Sequence, residues 1–259
     1  MSLWTPLQIR THFSLQKGYG KPEEYAKKCK EFGYESCAIA DINTLSGAVS
    51  FYKACKKFDI KPLIGCAVKL DGESITYIAK NKAGWHDLID IVTTINILSE
   101  EEAFNYAKEV GSRGNLTSVD HVNQQSMYYA NQSDCELQRI LLCSGMRSTS
   151  SKMAKKIRNG EDFPEKKFFT EDRFYLPTPD DIVELYTEEE IALSNEIADS
   201  CEEFDILSQP MLPKFTCPDS YSEDEYLKQL CRVGWKSLLA ETGKIDSEEM
   251  KEKYLQRVT

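Results

Sequence analysis

Residues 21–70 read KPEEYAKKCKEFGYESCAIADINTLSGAVSFYKACKKFDIKPLIGCAVKL, and they decide the fold class. Pro22 suits a first helical position, Glu23 and Glu24 favour the positive helix end, and Tyr25, Cys29 and Phe32 share one face up to Gly33, which can close the helix. Ser36-Cys37-Ala38-Ile39-Ala40 then has the continuous apolar character of a strand buried on both faces, with Asp41 at its exit. A second helix follows from about Leu45 to Phe58, and Lys61 to Leu70 is the next strand. This β-α-β rhythm predicts a parallel α/β architecture.

The rhythm continues downstream. Ser74 to Ala79 reads as a strand, and Gly84 to Ile97 as an amphipathic helix with Trp85, Leu88, Ile89, Val92 and Ile95 as its buried stripe. Glu100 to Val110 is expected to be helical, Ser126 to Ala130 a short strand, and Ser133 to Cys143 a helix burying Leu137, Ile140 and Leu141. The basic, polar stretch from Ser148 to Lys167 is read as a mobile loop. Phe174-Tyr175-Leu176 leads into two acidic helices and then a Pro-rich turn, Pro210 to Pro218. That turn marks a domain boundary, giving one domain over 1–215 and a helical region over 216–259. Tyr221 to Leu239 opens the latter with Ser222 as cap and Glu225 completing a capping box.

Composition narrows the function classes. No run approaches the roughly 18 apolar residues of a membrane span, and the start MSLWTPLQIRTHF lacks a signal-like core, so a cytoplasmic protein without a membrane partner is expected. Residues 1–82 carry 13 basic and 8 acidic side chains, whereas residues 176–259 carry 8 basic and 20 acidic ones, so the last third repels phosphate and is a poor DNA track. Nine cysteines without a C-x-x-C pair read as buried reduced thiols. His12, His86 and His121 are too dispersed to form a histidine-rich metal centre.

Several collinear motifs resemble one family. LQIRTHFSLQKGYG (7–20), the strand ending in Asp41, and the run from Phe51 to Cys66 are similar to the opening of DNA polymerase III alpha subunits, which begin with a PHP domain. YIAKNKAGWHDLIDIV (77–92), YYANQSDCELQRILLC (128–143), FYLPTPDDIVELY (174–186) and EDEYLKQLCRVGWKSL (223–238) agree with later family segments in order, while the part from about Leu98 to Gln125 is much shorter than usual. The resemblance implies a distorted (βα)7 TIM-like barrel with its site at the carboxyl ends of the strands, followed by a helical segment leading to the polymerase palm. The ending EEMKEKYLQRV (248–258) resembles the helix that leads there, which implies a longer parent chain.

In metal-bearing relatives, histidines and carboxylates hold a multi-metal cluster that activates water against a phosphodiester. Carried over by the resemblance, the first-motif histidines fall on Gln8 and Arg10, the next aspartate on Lys17, a histidine on Ile42, a glutamate on Ala67, and the late histidines on Tyr128 and Gln138; Asp41 alone keeps a ligand type. Divalent cations need several N or O donors around one point, and Arg10 and Lys17 bring positive charge instead. The expected segment is therefore a scaffold with no catalytic residue and no cofactor of its own, Mg belonging to the palm. Its expected partners are the rest of the polymerase chain, a proofreading exonuclease subunit, and DNA through the full-length polymerase. The alternative is a free metal-dependent PHP phosphoesterase or 3'-5' exonuclease. Arg10 is expected to replace the metal by pairing with Asp41, with Lys17 as the second candidate.

Overall fold

The computed structural model describes residues 3–70, 73–159, 169, 171–208, 215–218 and 221–242, with isolated positions beyond. The chain divides into two compact units, 1–208 and 209–259. In the first, helix α1 (Pro22–Phe32) starts at its proline and closes at Gly33, whose φ of 78° is the left-handed conformation a glycine adopts without steric cost. Strand β1 (Ser36–Ile42), helix α2 (Ala48–Lys57) and strand β2 (Lys61–Leu70) follow, and β1 and β2 pair in parallel with Asp41 opposite Cys66 and Ile42 opposite Ala67.

Beyond β2 the architecture departs from a parallel sheet. Strand β3 (Glu73–Ala79) runs antiparallel to β2, and β4 (Leu116–Ser118) antiparallel to β3, so the four strands form a mixed sheet in the order β1-β2-β3-β4. Only residues 71 and 72 separate β2 from β3 in the sequence, and a parallel pairing needs a crossover of a dozen or more residues. On the other side of β1, isolated parallel bridges join Ile9 to Ile39 and to Met127, and Tyr129 to Tyr175. The stretch expected as a strand over 126–130 therefore contributes single rungs.

Alternation along the strands sends side chains to two apolar layers. Cys37, Ile39, Ile64, Cys66, Val68, Tyr77 and Ala79 pack with residues of α1, α2, α3 (Lys82–Ile95) and α4 (Glu100–Gly111). Ala38, Leu63 and Ile78 face the other way, against Leu7, Val119, Val122 and the Ile197-Ala198 end of helix α8 (Glu188–Ser200). Helix α3 buries Gly84, Asp87, Leu88 and Ile91, with Trp85, Val92 and Ile95 half-buried, and leaves Ile89 exposed. Its face is turned from the expected stripe because Asp87 is held inward by Arg113 at 3.2 Å and Asn115 at 3.0 Å. Helix α5 (Cys135–Gly145) likewise buries Cys135, Gln138, Leu142 and Cys143, while Leu137 and Ile140 face solvent.

Part of the expected mobile loop is helical: α6 (Ser150–Arg158) is capped by Thr149, whose Oγ1 accepts from the Lys152 amide. Residues 160–167 of that stretch lie outside the described residues. Helices α7 (Pro179–Leu185) and α8 are the two acidic helices, each with a threonine capping box. In the second unit, α9 (Glu223–Thr242) begins at the Ser222–Glu225 capping box. Among the described residues no helix is long and apolar enough to cross a membrane. All nine cysteines are free; seven are buried, but Cys217 and Cys231 are only partly so. Cys37 Sγ lies 3.7 Å from Cys55 Sγ, and burial pushes the Cys37 thiol well up.

Gly65 sits in the middle of β2, between Ala40 and Ile78. A Cβ there would meet the Tyr77 carbonyl oxygen at 2.5 Å and that of Ile39 at 3.0 Å, both of them backbone atoms of adjoining strands. Gly65→Ala is therefore expected to lower the unfolding free energy by about 1–3 kcal/mol, measured as a lower denaturant midpoint.

Candidate functional site

The segment before α1 builds the site. Ile9 bonds to both sides of β1's register, its amide to the Ala38 carbonyl at 3.2 Å and its carbonyl to the Ala40 amide at 2.8 Å, while the Arg10 amide donates to Met127 at 2.8 Å. Because side chains alternate along an extended segment, Ile9 enters the core and Gln8 and Arg10 share the opposite face. The chain then folds back as a compact loop: Ser14 donates from its amide to the Thr11 carbonyl, and Lys17 and Gly18 donate to Ser14. Tyr19 and Gly20 complete it by donating to the Tyr128 carbonyl.

Asp41, at the end of β1, ties this loop to the sheet. Its Oδ1 accepts from the Thr11 amide at 2.6 Å and the Ser14 hydroxyl at 2.7 Å, and its Oδ2 from the Thr11 hydroxyl at 2.7 Å. Burial pushes its carboxyl pKa up, opposed by these hydrogen bonds and by the charge of Arg10. Ser14 Oγ also accepts from the Ile42 amide at 3.1 Å, so the loop grips the β1 end at two points. Thr11 and Ser14 were not singled out in the sequence; the signal was two hydroxyls closely spaced after the first strand-like segment, within reach of a carboxylate at a strand exit.

The expected Arg10–Asp41 pair does not form. Asp41 is occupied by the nearer donors of the loop, and Arg10 Nη2 instead donates to two neutral oxygens, Gln8 Oε1 at 3.0 Å and Thr76 Oγ1 at 3.3 Å. Arg10 is 4% exposed, and its Nε and Nη1 are buried without a hydrogen-bond partner. Burial accordingly lowers its pKa. Lys17, the second candidate, does not reach Asp41 either. Half-buried beside Lys69 and Arg10, it has a pKa lowered first by burial and then by those two like charges.

The remaining positions complete the wall. Gln8 Nε2 donates to the Gln124 carbonyl and its Oε1 accepts from Ser126, while the buried Gln138 donates to the Lys17 carbonyl at 3.0 Å. Ile42 and Ala67 are register partners on β1 and β2. The Tyr128 ring packs on Phe169 and Phe174 at centroid distances of 4.9 and 6.1 Å. Lys69 is held in place by Asn43, whose side-chain amide donates to the Lys69 carbonyl at 2.8 Å and whose Oδ1 accepts from the Lys69 amide at 2.7 Å. Asn43 has a φ of 55°, a conformation asparagine tolerates better than most residues. His12, His86 and His121 are all exposed.

Residues 6–177 match the PHP domain family, and the chain belongs to it. DNA polymerase III subunit alpha from Halalkalibacterium halodurans is 24% identical over 290 residues, which cover 91% of this chain and 26% of that protein. The Bacillus subtilis subunit is 25% identical over 309 residues, covering 97% and 27%. The chain thus spans about a quarter of the length of these relatives. An amidohydrolase from Chromobacterium violaceum overlaps 74% of this chain and 64% of its own at 12% identity, with a TM-score of 0.33, too loose to inform the site.

A multi-metal centre does not suit these residues. Among the described residues no group of three or more His, Cys, Asp or Glu side chains could hold an ion. Arg10 brings a buried guanidinium with two unpartnered nitrogens close to Asp41, whose carboxylate is engaged by the loop, and a fixed positive charge there repels a cation. Two outcomes follow. Arg10→Met removes a desolvated charge without orphaning Gln8 Oε1, which keeps Ser126, and is expected to raise stability by about 1 kcal/mol or more in anion-free buffer, read from denaturant midpoints. The raised pKa of Asp41 makes its stabilising contribution full below pH 3.8 and lost as pH rises through the raised value. Asp41→Asn should therefore gain on the wild type between about pH 3 and pH 7 in parallel unfolding curves.

Proposed function

We propose that this chain is the non-catalytic N-terminal PHP domain of a DNA polymerase III-type replicative polymerase, a distorted (βα)7 barrel that supports nucleotide transfer carried out elsewhere in a longer chain. Family membership and the polymerase relatives support the setting. The observation that carries the non-catalytic part is the buried, cationic Arg10 where a metal-bearing member needs a donor. A hydrolytic PHP centre activates water on its cations, and a guanidinium fixed at that point opposes their entry.

In this reading the domain's work is mechanical. The sheet, with both faces covered, is a rigid base, and residues 209–259, including α9, lead towards the palm, where Mg would act on the incoming nucleotide. The partners are the remainder of the polymerase chain, DNA reached through it, and a proofreading exonuclease subunit. The competing reading, a free phosphoesterase or exonuclease, differs in its need for metal.

The purified 259-residue chain, assayed with Mg or Mn, is expected neither to extend a primed template nor to shorten single-stranded DNA, and to contain no stoichiometric zinc, manganese or iron by elemental analysis. Nuclease activity that disappears in Asp41→Ala, together with a bound transition metal, would overturn the scaffold reading.

A further inference from the structure

We propose that Arg10, Lys17 and Lys69 form a pocket that binds a phosphate-class oxyanion, so that a site which holds cations in metal-bearing relatives takes an anion here. Arg10 is nine-tenths buried, yet its Nε and Nη1 donors face no acceptor and its Nη2 meets only neutral oxygens. A buried guanidinium is stable when paired, and an oxyanion offers the planar acceptor geometry that this side chain fits best. The nearby carboxylate does not fill that role. Asp41 accepts from Thr11 and Ser14, and Arg10 donates to neither of its oxygens.

The surroundings carry the same sign. Lys69 and Arg10 are each near enough to Lys17 that like-charge repulsion adds to burial in lowering its pKa. The Lys69 backbone is held by the Asn43 side chain, and no ion pair among the described residues includes Arg10, Lys17 or Lys69. Three cations against two carboxylates, Asp41 and Asp120, both accepting hydrogen bonds from the chain, leave an excess of positive charge that a phosphate oxyanion offsets. The Thr76 hydroxyl hydrogen and the second hydrogen of the Gln8 side-chain amide add neutral donors suited to its remaining oxygens. The unpartnered nitrogens are closed to solvent in this conformation, so the anion enters by displacing the partly exposed Tyr128.

Inorganic phosphate and the terminal phosphate of a nucleic-acid end share this chemistry. Neither depends on the parent chain being a polymerase. Calorimetric titration of the full chain at constant ionic strength, with inorganic phosphate, a 5'-phosphorylated oligonucleotide and its unphosphorylated form, separates the sources. Saturable binding of inorganic phosphate supports a free anion. Saturable binding confined to the phosphorylated oligonucleotide supports a nucleic-acid end. Lys17→Gln, a substitution at a half-buried side chain, should weaken either by about tenfold, and Arg10→Met should abolish it together with the rise in thermal midpoint that phosphate gives the wild type. No saturable binding by either phosphate, or equal binding in wild type and Lys17→Gln, would overturn the proposal.

Discussion

The carboxylate of Asp41 is the constraint on which the rest of the site depends. It stands at the end of β1, where the sheet ceases to supply hydrogen-bond partners, and takes donors from Thr11 and Ser14 instead. That arrangement closes the 11–20 loop against the sheet and brings the Tyr19 and Gly20 amides to the Tyr128 carbonyl. It also restricts the start of α2. A Cβ on Gly47, the residue before that helix, would lie 2.6 Å from Asp41 Oδ2. With Asp41 held by the loop, the Arg10 guanidinium bonds to Gln8 and Thr76 instead.

A carboxylate at this point can anchor a cation or anchor a loop. Metal-bearing relatives use several donors around a cation. Here the donors to Asp41 come from the chain itself, Thr11 and Ser14. Gln8 and Gln138 are now cross-braces, one to the 124–126 segment and one to the Lys17 carbonyl. Ile42 and Ala67 are sheet rungs. Gln8 and Gln138 thus brace the loop and its neighbours, whereas Arg10 and Lys17 form no ion pair among the described residues.

Local signals in the sequence were sufficient for the elements that local chemistry governs. Pro22, Glu24 and Gly33 bound α1, and Ser222 with Glu225 opens α9, because caps involve residues only a few positions apart. Strand direction was misread because the β-α-β rhythm of β1 to β2 was extended past β2, although Asp71-Gly72 is a sequence pair that favours a tight reversal. The faces of α3 and α5 were misassigned for a different reason. Apolar spacing cannot anticipate that Asp87 and Gln138 turn inward to meet Arg113, Asn115 and the Lys17 carbonyl. At the site, the pairing of Asp41 was not legible, since Thr11 and Ser14 reach it only once the loop is closed.

The thiols bear on how opening of the first unit could be observed. Cys29, Cys37, Cys55 and Cys66 are buried within the layer formed by the sheet and α1–α4, and burial holds the Cys66 thiol at about 12, so at neutral pH it is protonated and shielded from alkylating reagents. Cys217 and Cys231, in the second unit, are partly accessible and lie outside that layer. A thiol reagent therefore meets two populations with different clocks. The accessible pair reports on the second unit at once, whereas modification of the buried group tracks how often the sheet and its helices separate.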